Sequence, residues 1–170
     1  MDIKAEIAEK IGLSTDAVEL QLGYQVILGQ VETGNGASAA STVFLGNTIF
    51  KTWRVVGLGF YVSTAGTSTV AEEIEFGYHG ATPDPDAFGS ITQDTTADDE
   101  LAAGDMYYYS ATSGVDVEFA ALANAGTLTF DAGGALLGVW QTTQRMLTCT
   151  KANVASSTAT VIPFMVVEVA

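Results

Sequence analysis

The chain has 170 residues, with 20 Asp and Glu against 6 Lys and Arg, for a formal charge of −14. The length suits one domain able to bury roughly 70% of its unfolded surface. A hydrophobic share of 48% beside 15% charged residues argues against disorder, and the acidic balance opposes contact with nucleic-acid phosphates or anionic membrane surfaces.

Residues 1–22 are expected to form a helical arm. Ile3, Ile7 and Ile11 recur at spacing four, with Lys4, Glu6, Glu9 and Lys10 between them, and Gly12 stops the helix. Ser14 can cap a second short helical piece running toward Leu22. The first ten residues lack the apolar region of a secretory signal, and the longest apolar stretch, 161–167, is far short of the ~20 residues that span a bilayer. Synthesis and folding in a cytoplasm are expected. The arm also carries the spacing of a helix-turn-helix, in Ala8, Gly12 and Val18. Its second helix would present Asp16, Glu19 and Gln21, with no cation to meet phosphate.

From Tyr24 the periodicity becomes that of strands. Residues 24–31 (YQVILGQV) are expected as a strand, 32–41 as a loop, and 42–50 (TVFLGNTIF) and 52–64 (TWRVVGLGFYVST) as strands. A turn at 65–68 would return the chain through 69–78 (TVAEEIEFGY), making a hairpin with 52–64. Within 52–64, Gly57 and Gly59 fit a bulky strand that must pack closely, since no phosphate-binding helix follows them.

Residues 80–105 hold Pro83, Pro85 and the acids Asp84, Asp86, Asp94, Asp98, Asp99, Glu100 and Asp105. They are expected as an acidic loop excursion with a helical turn near 98–103. Strands resume at 106–110 (MYYYS), 115–121 (VDVEFAA), 126–130 (GTLTF), 136–142 (LLGVWQT), 145–150 (RMLTCT) and 158–169. Eight to ten strands joined by Gly-, Ser- and Thr-rich turns, with no alternating helices, predict a mainly β fold. The architecture expected is an antiparallel β-sandwich of jelly-roll type over 23–170, preceded by the arm.

Few residues carry recognisable chemistry. His79 is the single histidine and stands at a strand end, with no G-x-S-x-G elbow to partner it. Its plain reading is an imidazole half-exposed at a loop mouth; catalysis by His79 or by paired acids stays a remainder. The acids of 80–105 could supply oxygens to Ca²⁺, but no D-x-D-x-D-G loop occurs, and a solvated acidic surface is favoured over a metal. Cys149 has no second cysteine to pair with and reads as a small buried hydrophobe. Trp53 and Trp140 both read as core residues, and Tyr107–Tyr109 as side chains alternating between two faces. No catalytic residue, cofactor or metal is expected.

Residues 51–90 read KTWRVVGLGFYVSTAGTSTVAEEIEFGYHGATPDPDAFGS. A strand ending in a Val-Ser-Thr-Ala turn, a strand closing on Gly and an Asp-x-Asp-Ala-Phe step resemble the β-sandwich virion proteins of tailed bacteriophages. Residues 127–134 (TLTFDAGG) and 160–169 (TVIPFMVVEV) are similar to the hairpin and last strand of such proteins. The resemblance implies a head-decoration or cement protein on the capsid exterior, binding the major capsid protein as a homotrimer. The partner-binding residues expected are Ile3, Ile7 and Ile11, which could equally pack on the chain's own sandwich. The competing expectation is the receptor- or glycan-binding head of a tail fibre or spike.

Overall fold

The computed structural model describes residues 2–12, 23–29, 32–33, 42–47, 52–68, 72–94, 99–111, 115–119, 127–131, 135–153 and 159–170. Among them are one helix and thirteen strands. The helix is α1 (Ile3–Lys10). The strands are β1 (Tyr24–Leu28), β2 (Glu32–Thr33), β3 (Thr42–Asn47), β4 (Trp53–Thr64), β5 (Gly66–Ser68), β6 (Glu72–His79), β7 (Asp84–Asp94), β8 (Asp99–Leu101), β9 (Met106–Ser110), β10 (Val115–Phe119), β11 (Thr127–Asp131), β12 (Met146–Asn153) and β13 (Thr160–Val169).

Every pairing among the described residues is antiparallel. One sheet runs β1-β13-β4-β9-β10, with β2 also on β13; the second runs β11-β7-β6-β12-β3; β5 and β8 make a small pair of their own. Setting aside the short β2, the β5–β8 pair and the outermost β10 and β11 leaves eight strands. Numbered one to eight in chain order, they lie 1-8-3-6 in the first sheet and 5-4-7-2 in the second. That order is the jelly roll, two Greek keys folded into facing sheets. The expected mainly β sandwich is therefore the fold observed.

Alternation explains how the sheets are filled. In β13, Met165 and Val167 join the cluster between the sheets, while Phe164 and Val166 point to the opposite side. Strand β9 does the same, with Tyr107 inside and Met106 and Tyr108 outside. The inner core also holds Trp53, Leu58, Phe60, Phe76, Phe88, Leu147 and the buried Cys149. Trp53 meets Phe88 edge to face across the sheets, at 6.2 Å between ring centroids. Gly57 sits under the ring of Tyr108, which would collide with any Cβ there. The close packing expected of this strand is thus a ring laid on bare backbone.

The outer side of the first sheet is apolar too, and α1 covers part of it. Ile7 and Ala8 are fully buried against a cluster holding Val26, Val56, Phe164 and Val166, and Ile3 and Ile11 pack on its margin. Asp2 caps the helix by accepting from the Lys4 amide at 3.0 Å. Lys10 Nζ donates to the Gly104 carbonyl at 2.9 Å, and the Tyr61 hydroxyl donates to Glu6 at 3.2 Å.

Several local expectations are corrected. β4 and β6 do not form a hairpin: β4 pairs with β13 and β9, and β6 with β7 and β12, in the other sheet. A strand apolar on both faces belongs in the middle of its sheet, between two neighbours. Residues 66–68 are not a turn but β5, paired with β8, and β8 replaces the helical turn expected near 98–103. The excursion at 80–105 contains β7 as a full strand of the second sheet. Residues 136–142 form a loop rather than a strand, held to β4 by the bridge of Trp53 to Gln141 and by the Gly138 amide, and Gly138 takes φ +78° and breaks the pleat. The helical piece expected after Ser14 lies outside the described residues.

Candidate functional site

Among the described residues, the largest departure from regular sheet register lies between β6 and β7. Their register pairs Tyr78 with Asp84 and then Phe76 with Gly89, so residues 85–88 all stand opposite Gly77. The surplus chain divides in two directions. Ala87 and Phe88 turn inward and are fully buried, whereas Pro85 stays exposed. The Asp84 carbonyl and the Pro85 backbone cross the place where a side chain on residue 77 would be, so only glycine is accommodated. This is the structural content of the Asp-x-Asp-Ala-Phe step.

Beside the bulge is a recess of about 320 Å³ lined by Glu75, Tyr78, His79, Pro83, Pro85, Thr148 and Thr150. β6 contributes Glu75, Tyr78 and His79, β12 contributes Thr148 and Thr150, and Pro83 comes from the approach to β7 and Pro85 from the bulge itself. Thr148 is buried, while His79 is exposed at the end of β6. The Arg145 guanidinium lies 3.7 Å over the Tyr78 ring, which it holds as a wall of the recess.

The charges around this recess are mostly of one sign. Burial, and then the carboxylates of Glu73 and Asp86, push the Glu75 carboxyl above its ordinary range. Asp84 is also raised, first by burial, then by its hydrogen bond to Asp86 and that group's charge, with Arg145 opposing. The described acids of 80–105 are not gathered in one place. Asp84 and Asp86 lie at the bulge, Asp99 and Glu100 on β8, and the buried Asp105 accepts from the Ala102 amide at 3.1 Å. Among the described residues, no group of three or more His, Cys, Asp or Glu side chains is arranged to hold a metal ion.

A second feature is at the rim. Trp53 is fully buried as expected, but Trp140 is 42% exposed beside Val139 at 45%. Its loop is tied down by the paired backbone bonds of Trp53 and Gln141, by Gly138 donating to Val55 at 2.8 Å, and by Trp53 Nε1 donating to Thr143 at 3.0 Å. The Arg54 guanidinium lies 4.6 Å over the Trp140 ring and forms an ion pair of 2.6 Å with Glu168.

The three isoleucines of the arm are brought together, but on the chain's own sheet. Ile7 is fully buried there, while Ile3 and Ile11 stay half-buried at its margin. Sequence reasoning missed the recess, whose only advance signs were Gly77 and the Pro83-x-Pro85 spacing. It also placed Trp140 in the core, since a tryptophan in an apolar run looks the same whether its loop is inside or outside.

Set against known proteins, the chain matches no family model, no curated protein and no solved structure.

Proposed function

We propose that this chain is a structural virion protein that binds the outer surface of a phage capsid as a decoration or cement protein, assembled as a homotrimer. The observation that carries the reading is the jelly-roll strand order, an architecture used widely for viral shell domains. The link from fold to role is analogy, and the sequence resemblance to phage virion proteins points the same way. The charge of −14 suits a protein held on the far side of a shell from packaged nucleic acid. The test is co-sedimentation of the purified protein with genome-free shells of its phage. Binding that saturates at a fixed number of copies per shell, and raises the temperature at which shells break, is expected. Shells that pellet without the protein at saturating concentration would overturn the proposal.

The exposed Trp140 favours a second reading, the glycan- or receptor-binding head of a fibre or spike. An indole face held by a fixed loop beside the Arg54–Glu168 pair is a stacking surface with hydrogen-bonding groups at its edge. Binding to host cells that is lost in Trp140→Ala, with no binding to shells, would establish this reading over the first.

A further inference from the structure

The recess between β6, β12 and the β7 bulge has a shape and a polarity that together restrict what can enter it. Its volume of about 320 Å³ is enough for one long side chain, and too small for a folded element. Tyr78, Pro83 and Pro85 supply flat apolar walls, and Pro85 is fixed by the passage of its backbone over Gly77. Thr148 and Thr150 add hydroxyl oxygens from the neighbouring strand. One carboxylate, Glu75, lies in the lining itself; Glu73, two residues away on the same face of β6, and Asp86 in the bulge add their repulsion to the cost of its burial.

An anionic or purely apolar occupant would leave that repulsion in place. A cation relieves it, and an aliphatic stem uses the walls. We infer that the recess receives the side chain of a lysine or arginine from a partner protein, with its charged end at Glu75 and its methylenes between Tyr78, Pro83 and Pro85. A carboxylate that accepts a hydrogen bond from an ammonium or guanidinium forms the stronger, charge-assisted kind of contact. Long basic side chains routinely bury their stems while the charged end stays polar-bonded. The Arg145 guanidinium is stacked on Tyr78 and its charge acts on Asp84, whereas the groups that shift Glu75 are Glu73 and Asp86. The inference deepens the proposed attachment role and rests on it only for which protein supplies the basic residue.

The test uses the full chain and a small probe, so its outcome is independent of shell binding. Nα-acetyl-lysine methylamide is titrated at low salt while backbone amide resonances are followed by NMR, with Nα-acetyl-norleucine methylamide as the uncharged control. Saturable shifts at Glu75, His79, Thr148 and Thr150 are expected for the lysine probe and not for norleucine. Glu75→Gln, with its amide spectrum otherwise preserved, should weaken the lysine probe by about tenfold, equivalent to ~1.4 kcal/mol. No saturable shift, an equal response to norleucine, or unchanged affinity in Glu75→Gln would each overturn the inference. Should the lysine probe bind while shells do not, the capsid reading fails and the pocket stands. Should shells bind while the probe does not, the pocket fails and the capsid reading stands.

Discussion

The backbone of Pro85 crosses Gly77 at the point where any other residue would place its Cβ. This contact joins the bulge of β7 to the middle of β6, and everything around the recess depends on it. Gly77→Ala forces one of two rigid backbones to move. We expect a loss of about 1–3 kcal/mol, the usual cost of overpacking, read as a lower urea midpoint. Because the strain falls on the bulge, amide shifts in the variant should concentrate at residues 75–79 and 84–89. Changes spread evenly over both sheets would argue against this account.

The arm should behave as part of the folded body. Ile7 has no exposure, so Ile7→Ala removes buried methyl groups and leaves a cavity beneath α1. About 2 kcal/mol of destabilisation is expected, at the low end for such truncations because the helix lies at the periphery. Ile7→Asp should release the arm and uncover the apolar patch around Val56, Phe164 and Val166, seen as increased binding of an apolar dye. An arm that contributes nothing would leave both the urea midpoint and dye binding unchanged.

Acidification from neutral pH should stabilise the protein before it unfolds it. Glu75 and Asp84 both titrate above their ordinary range in the folded state, so there the native protein holds more protons than the unfolded chain. With that sign, stability falls as pH rises through the interval from the ordinary carboxylate value up to the raised one, and the cost persists above it. The melting temperature should therefore rise as pH is lowered through that interval, toward the ordinary carboxylate value. The charge of −14 adds repulsion that acid also relieves. Glu75→Gln should flatten the profile; a slope identical to wild type would show that the local cluster is not its source.

The two tryptophans should differ sharply. Trp53→Ala empties the centre of the inner core and should cost about 3–5 kcal/mol. Trp140→Ala gives up mainly the contact with Arg54, worth under ~1 kcal/mol at an exposed site. In Trp53→Phe the remaining Trp140 fluorescence should be quenched readily by acrylamide, while in Trp140→Phe the remaining Trp53 should resist. Equal quenching of the two would contradict the exposed position of the loop.

What the amino-acid order determined by itself was local and periodic. The Ile3–Ile7–Ile11 spacing yields a helix with one apolar stripe, and the alternation in 106–110 and 160–169 yields strands that send side chains to two faces. The burial of Cys149 follows from the same alternation. The mainly β sandwich was legible because strand-length apolar runs separated by turn residues leave few other architectures. Partner choice was not. β4 and β6 adjoin in sequence, yet β4 lies between β13 and β9 because it is apolar on both sides, which no period of two can reveal. The recess exists only because residues 85–88 are surplus to the register with β6, a mismatch between two strands rather than a property of either. Trp140 is outside because Gly138 turns its backbone away, and the isoleucine stripe is covered because the first sheet is apolar on its outer face as well. These outcomes come from contacts between distant segments, whose free energy depends on both partners at once, so tertiary structure alone could decide them.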